Sequence, residues 1–164
     1  MAQITLSGTP INTVGELPAV GSTAPNFNLT GHDLWVVGIE QFRGKPLVLN
    51  IFPSVDMPVC AATVRNFNER AAASGVCVLC VSKDLPFTFQ RFCSAEGIEH
   101  VKTASAFQGS FGEDYGVTMV NGAMAGLLAR AVVVINAEGN VAYTELVPEL
   151  EQEPDYDSAL AALG

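Results

Sequence analysis

The run Lys45 to Phe52, K-P-L-V-L-N-I-F, constrains this chain more than any other segment. It is rich in apolar and β-branched residues, has the length of a buried strand, and stops at Pro53, which cannot continue a ladder. The periodicity then changes. Beyond Pro58 the apolar residues Val64, Phe67 and Ala71 recur at helical spacing and Gly75 supplies a stop, which predicts a helix from about Pro58 to Ser74. The next segment, V-C-V-L-C-V-S, reads as a strand. L-P-F-T-F-Q-R-F-C-S-A-E-G reads as a helix that begins near Pro86 and ends at Gly97. Strand, helix, strand, helix is the signature of a parallel sheet.

The flanking regions add antiparallel pieces. I-T-L followed by S-G-T-P predicts a small N-terminal β-hairpin. Residues Gly21 to His32 read as loop, D-L-W-V-V as a short strand, and another short strand falls near Val101, followed by an irregular segment. R-A-V-V-V-I-N and V-A-Y-T-E-L flank the turn A-E-G-N, a hairpin signal, and a last helix follows Pro154 from Asp155 to Leu163. The sum is an α/β fold, a mixed central sheet flanked by helices, of the thioredoxin type. No repeat, low-complexity tract or composition shift divides the chain, so residues 1–164 read as a single domain. At 49% hydrophobic and 15% charged residues it can bury a large core.

Charge narrows the function classes. A net charge of -9, a pI near 4.5 and eight scattered basic residues disfavour nucleic acid and anionic membranes as partners. The longest apolar tract, Ala125 to Ala137, is interrupted by Arg130 and falls short of the ~20 residues that a membrane span needs. No Lys or Arg precedes Arg43 and no sustained apolar run opens the chain, so a secretory signal is not expected and a cytoplasmic location is. In that setting the four cysteines point to catalytic, redox or merely buried thiols, not to a disulfide framework.

The cysteines separate by position. Cys77 and Cys80 form C-V-L-C inside a strand, where residues three apart face opposite sides of the sheet; they read as buried small hydrophobes. Cys60 falls in the first turn of the helix behind Pro58, with Asp56 at or beside the N-cap. There the free backbone N–H groups and the positive helix end favour a thiolate and predict a lowered pKa. A core-facing cysteine on an amphipathic helix fits the local pattern equally well. Cys93, among Phe87, Phe89 and Phe92, reads alone as a core residue. It gains a role if Cys60 is oxidised, because its thiol could then attack that sulfur. Arg130 abuts A-V-V-V-I. By itself it reads as a guanidinium snorkelling from a strand end; beside a thiolate it would stabilise the anion and the charge on a leaving oxygen.

P-S-V-D-M-P-V-C with a downstream Arg resembles the peroxiredoxin signature. The wording N-I-F-P-S-V-D-x-P-V-C, V-R-x-F-N, C-V-S-K-D-L-P-F, R-F-C-x-A-E-G-I, A-R-A-V-V-V-I and E-P-D-Y is similar to bacterial thiol peroxidases, the atypical two-cysteine peroxiredoxins, over nearly the whole chain. The resemblance implies a thioredoxin-like fold with an N-terminal hairpin, and a homodimer. It implies Cys60 as peroxidatic cysteine, Cys93 as resolving cysteine of the same subunit, Arg130 as activating arginine and Pro53 as the residue that shields the pocket. The implied reaction is reduction of hydrogen peroxide and organic hydroperoxides through a Cys60 sulfenic acid and a Cys60–Cys93 disulfide. Thioredoxin, with thioredoxin reductase, recycles that disulfide, and no metal, flavin or haem takes part. Both cysteines lie on helices, so disulfide formation implies local unfolding.

Met57 departs from the family pattern, which has Thr or Ser three residues before the peroxidatic cysteine. A thioether cannot donate a hydrogen bond, so a lowered peroxidase activity is expected. The alternative is a redox sensor or interaction protein that keeps Cys60 and Cys93 but turns over little.

Overall fold

A computed structural model describes residues 1–163. Strands β1 (Gln3–Leu6) and β2 (Thr9–Asn12) form a separate antiparallel hairpin. Ser7 and Gly8 turn it with positive φ values of 49° and 84°, the backbone that a two-residue hairpin turn requires. Then come β3 (Asn28–Gly31), β4 (Val36–Gly38), a single 3-10 turn (Ile39–Phe42), β5 (Leu47–Ile51), α1 (Pro58–Ser74), β6 (Cys77–Ser82), α2 (Pro86–Glu96) and β7 (Lys102–Ser105). The short α3 (Phe111–Asp114), β8 (Ala131–Ile135), β9 (Val141–Leu146) and α4 (Tyr156–Ala161) complete the fold.

The main sheet has seven strands in the order β4-β3-β7-β6-β5-β8-β9. β5, β6 and β7 are parallel, as their helical crossovers require; β8 runs antiparallel beside β5 and pairs with β9. Two successive crossovers that step in one direction put α1 and α2 on one face. Alternation along β5 sorts the core accordingly. Val48 and Phe52 pack with Val64, Phe67, Phe89 and Phe92 of α1 and α2, whereas Leu47, Leu49 and Ile51 pack with Ile4, Ile11, Phe27 and Tyr115. Complete burial of Val64 and Phe67 stabilises α1 by about 1.5–3 kcal/mol each.

The mixed sheet, the N-terminal hairpin and both long helices agree with the sequence expectation. The differences are confined to short pieces between the main elements. Within D-L-W-V-V the strand starts only at Val36, because Leu34 (φ 72°) and Trp35 turn the chain back onto Gly31. β3 occupies part of the expected loop, and α3 part of the irregular segment. No helix among the described residues is long and apolar enough to cross a membrane.

Candidate active site

The site forms where β5 ends. Phe52 still donates its N–H to the Val81 carbonyl (3.1 Å), Pro53 is buried, and the chain then turns through Ser54 to Met57 before Pro58 opens α1. Cys60, the third helical residue, is fully buried beneath this turn. The strand register supplies its partner. Ile51 pairs with Ala131 in the antiparallel β5–β8 ladder, so Arg130 emerges beside the chain just as β5 gives way to the turn.

Arg130 is fully buried, not exposed at a strand end. Its Nε and Nη2 donate to the Leu150 carbonyl at 3.0 and 2.6 Å, and Nη2 also donates to the Cys60 Sγ at 3.3 Å. Nη1 is buried with no hydrogen-bond partner among the described residues. A buried guanidinium with one unpaired face carries a positive charge and a donor that an incoming polar oxygen can satisfy.

One sequence expectation needs correction here, and a second needs a narrower statement. The Cys60 thiol was expected to be acidified by its helix end; burial instead pushes its pKa up. The Arg130 charge, a backbone hydrogen bond at Ser54 and the Arg130 hydrogen bond oppose that shift, while the Asp84 carboxylate adds to it. Desolvation wins because the sulfur has no exposed surface. Asp56 stands beside the N-cap, as expected, but makes no capping bond. Met57 occupies the cap with no side-chain hydrogen bond, and Asp56 faces outward to Arg91 at 3.3 Å, with both side chains 64% exposed.

Cys93 is half-buried on α2 and lies against the Thr103 hydroxyl, in the wall of a groove of about 730 Å³ between α2 and the β3–β4 hairpin. Cys60 and Cys93 are both free thiols. Cys77 packs toward the Leu47 face and Cys80 toward the opposite one, as strand alternation requires. Cys80 is fully buried 3.5 Å from the Asn50 amide, and desolvation pushes its pKa up to about 12. Met57 is half-buried against the cluster that contains Cys60, so a thioether, which cannot donate a hydrogen bond, stands at the turn.

Sequence reasoning missed the residues that hold this turn in place. Asp84 accepts from the Val55 N–H (2.7 Å) and the Ser54 hydroxyl (2.9 Å). The Leu150 carbonyl reaches Arg130 because Leu150 donates its N–H to the Thr5 carbonyl of β1 (2.8 Å). The available signal was an Asp and a Ser flanking Lys83 just ahead of a proline, a turn pattern without an assigned partner. E-P-D-Y is also structural: the Tyr156 ring packs on Phe67 of α1 at 5.0 Å.

A thioredoxin-like sheet with a buried thiol in the first turn of a helix and a buried guanidinium on its sulfur defines a class of thiol-chemistry proteins. The Redoxin family matches residues 19–160. Over 164 residues, the thiol peroxidase of Mycobacterium tuberculosis is 73% identical, with 100% of this chain and 99% of that protein covered. The thiol peroxidase of Corynebacterium glutamicum is 54% identical, covering 99% of each. The solved structure of a peroxiredoxin-like protein from Aquifex aeolicus superposes with a TM-score of 0.93 at 40% identity, over 99% of this chain and 96% of that one. The chain belongs to the Redoxin family, on its thiol peroxidase branch.

Proposed function

We propose that the protein is a thiol-dependent peroxidase for hydrogen peroxide and organic hydroperoxides, with Cys60 as its nucleophile. The observation that carries this reading is the 3.3 Å contact between a fully buried Arg130 and the Cys60 sulfur, with a second guanidinium nitrogen unpaired. Cys60 thiolate attacks the terminal peroxide oxygen; the O–O bond breaks, the sulfur becomes a sulfenic acid, and the other oxygen leaves as water or an alcohol after taking a proton. Arg130 stabilises both the thiolate and the charge on the departing oxygen. Pro53, buried behind the turn, shields the reacting sulfur from bulk water.

Cys93 then attacks the sulfenic sulfur, forming an intrasubunit Cys60–Cys93 disulfide and releasing water. A dithiol reductant, thioredoxin served by thioredoxin reductase, takes up the disulfide by exchange and restores both thiols. The protein acts in the cytoplasm as a homodimer of one-domain subunits. Stopped-flow oxidation followed by thioredoxin-coupled turnover tests the scheme. Cys60→Ser should abolish the reaction. Cys93→Ser should accumulate sulfenic acid and recycle poorly, and a Cys77→Ser/Cys80→Ser double variant should change little. A fully active Cys60→Ser variant would overturn it.

Met57 and the upward-shifted Cys60 thiol favour a second reading, a redox sensor that oxidises but turns over slowly. Oxidation of the wild type by one equivalent of peroxide, without sustained thioredoxin-coupled turnover, would select it.

A further inference from the structure

We infer that Asp84 is a positioning residue that holds the Cys60 turn closed against the start of the Cys93 helix, and so sets how the reaction divides between peroxide reduction and disulfide formation. The inference rests on the roles given to Cys60 and Cys93 above. Asp84 lies between the end of β6 and Pro86, the first residue of α2. One carboxylate oxygen accepts from the Ser54 hydroxyl at 2.9 Å, and the other from the Val55 N–H at 2.7 Å and the Ser82 hydroxyl at 2.5 Å. Its N–H donates to the Ser82 hydroxyl at 3.1 Å, and its carbonyl accepts from the Ser105 hydroxyl at 2.5 Å. One side chain therefore ties together the turn before Cys60, the end of β6 and, through its own backbone, the end of β7.

These bonds matter because the two halves of the reaction need opposite things. Peroxide reduction needs the turn fixed over Cys60 and Arg130, since the donors must be in place before charge develops on the leaving oxygen. Disulfide formation needs the Cys60 sulfur to leave its burial and meet Cys93, which faces Thr103 and the α2 groove. The Asp84 carboxylate clamps the turn that must loosen before the Cys60 sulfur can leave its burial. Its bonds to Ser54 and Val55 are of the charge-assisted kind, about twice as strong as neutral ones. Its negative charge also opposes the Cys60 thiolate. A residue there for activation alone would be ill placed; one there to hold geometry is well placed.

Asp84→Asn keeps the shape but removes the charge and one acceptor. Loss of a charge-assisted bond shifts a closed-to-open balance by roughly 10-fold or more. Single-turnover stopped-flow resolves Cys60 oxidation from disulfide closure, the latter followed by the fluorescence of Trp35, which lines the Cys93 groove. Oxidation should slow by about 10-fold, because the Asp84 charge is the smallest influence on the Cys60 thiol and its removal offsets little of the lost tie, and closure should speed up by a similar factor. Ser54→Ala, which breaks the same tie from the other side, should give the same pair of changes in smaller measure, and Asp84→Glu should restore part of both. Ile135→Val, a mild cavity on the opposite face of the sheet, serves as the control for general destabilisation and should not split the two steps. Parallel slowing of both steps, or the same split in Ile135→Val, overturns the inference; so do unchanged rates in Asp84→Asn and Ser54→Ala together. If the wild type itself shows no Cys60 oxidation, the peroxidase reading has failed instead.

Discussion

Nη2 of Arg130 donates at once to the Cys60 sulfur at 3.3 Å and to the Leu150 carbonyl at 2.6 Å, so the guanidinium is fixed by a backbone oxygen before any substrate arrives. The sulfur is buried and its pKa raised, and Arg130 is the largest influence holding that rise in check. Arg130→Met should therefore raise the Cys60 pKa further, read from the far-ultraviolet thiolate absorbance. It should also lower kcat/KM for peroxide by at least roughly 10- to 150-fold, from the lost charged hydrogen bond alone. Arg130→Lys keeps the charge but not the fork, and should fall between the two.

Met57→Thr returns a hydroxyl to the turn three residues before Cys60. One added hydrogen bond to a charged group is worth ~1.5–3 kcal/mol, so kcat/KM for peroxide should rise roughly 10- to 150-fold. Because Met57 packs against the Cys60 cluster, thermal unfolding should show a modest loss of stability. An unchanged or lower kcat/KM would contradict the role given to this position.

The buried thiols make stability fall with alkaline pH. For Cys80 the pKa lies near 9.0 in a free thiol and is pushed up to about 12 in the fold. Below the lower value the neutral thiol costs the fold nothing. As pH rises from 9.0 toward about 12 the unfolded chain ionises first, and stability declines through that window. Cys80→Val should flatten the decline between pH 9.0 and about 12 in denaturant titrations. An identical slope in the variant would contradict it.

How much of this was legible beforehand follows from how local each signal is. The helix expected from about Pro58 to Ser74 was readable because proline, apolar spacing and a left-handed Gly75 (φ 73°) all lie within one segment. The placement of Cys60 followed from the same segment. Its titration did not, because burial beneath the turn is a property of the packed fold and outweighs the helix end. Arg130 was legible as a candidate, but its full burial depends on the Leu150 carbonyl twenty residues away. Asp84 stayed hidden for the same reason: its partners Ser54 and Val55 meet it only when β5 and β6 lie side by side.

Glu149 ties the N-terminal hairpin to the loop that carries Leu150. Its carboxylate accepts from Ser7 N–H (3.2 Å), Gly8 N–H (3.1 Å), Glu151 N–H (2.9 Å) and the Thr5 hydroxyl (2.8 Å), and these bonds lower its pKa to about 2. A depressed carboxylate stabilises the fold above its ordinary value near 4.5, and that contribution disappears as pH falls from there through about 2. Amide exchange at Gly8 should thus become faster, relative to its intrinsic rate, across this window in the wild type. Glu149→Gln should lack that pH dependence and show weaker protection at neutral pH.

The most direct measurement is peptide mapping, under non-reducing conditions, of reduced protein treated with one equivalent of hydrogen peroxide. The proposed chemistry predicts a Cys60–Cys93 disulfide within one subunit, with Cys77 and Cys80 still free, and no disulfide in Cys60→Ser. Recovery of Cys60 as an unmodified thiol, with the oxidation found on Cys77, Cys80 or Cys93, would contradict it.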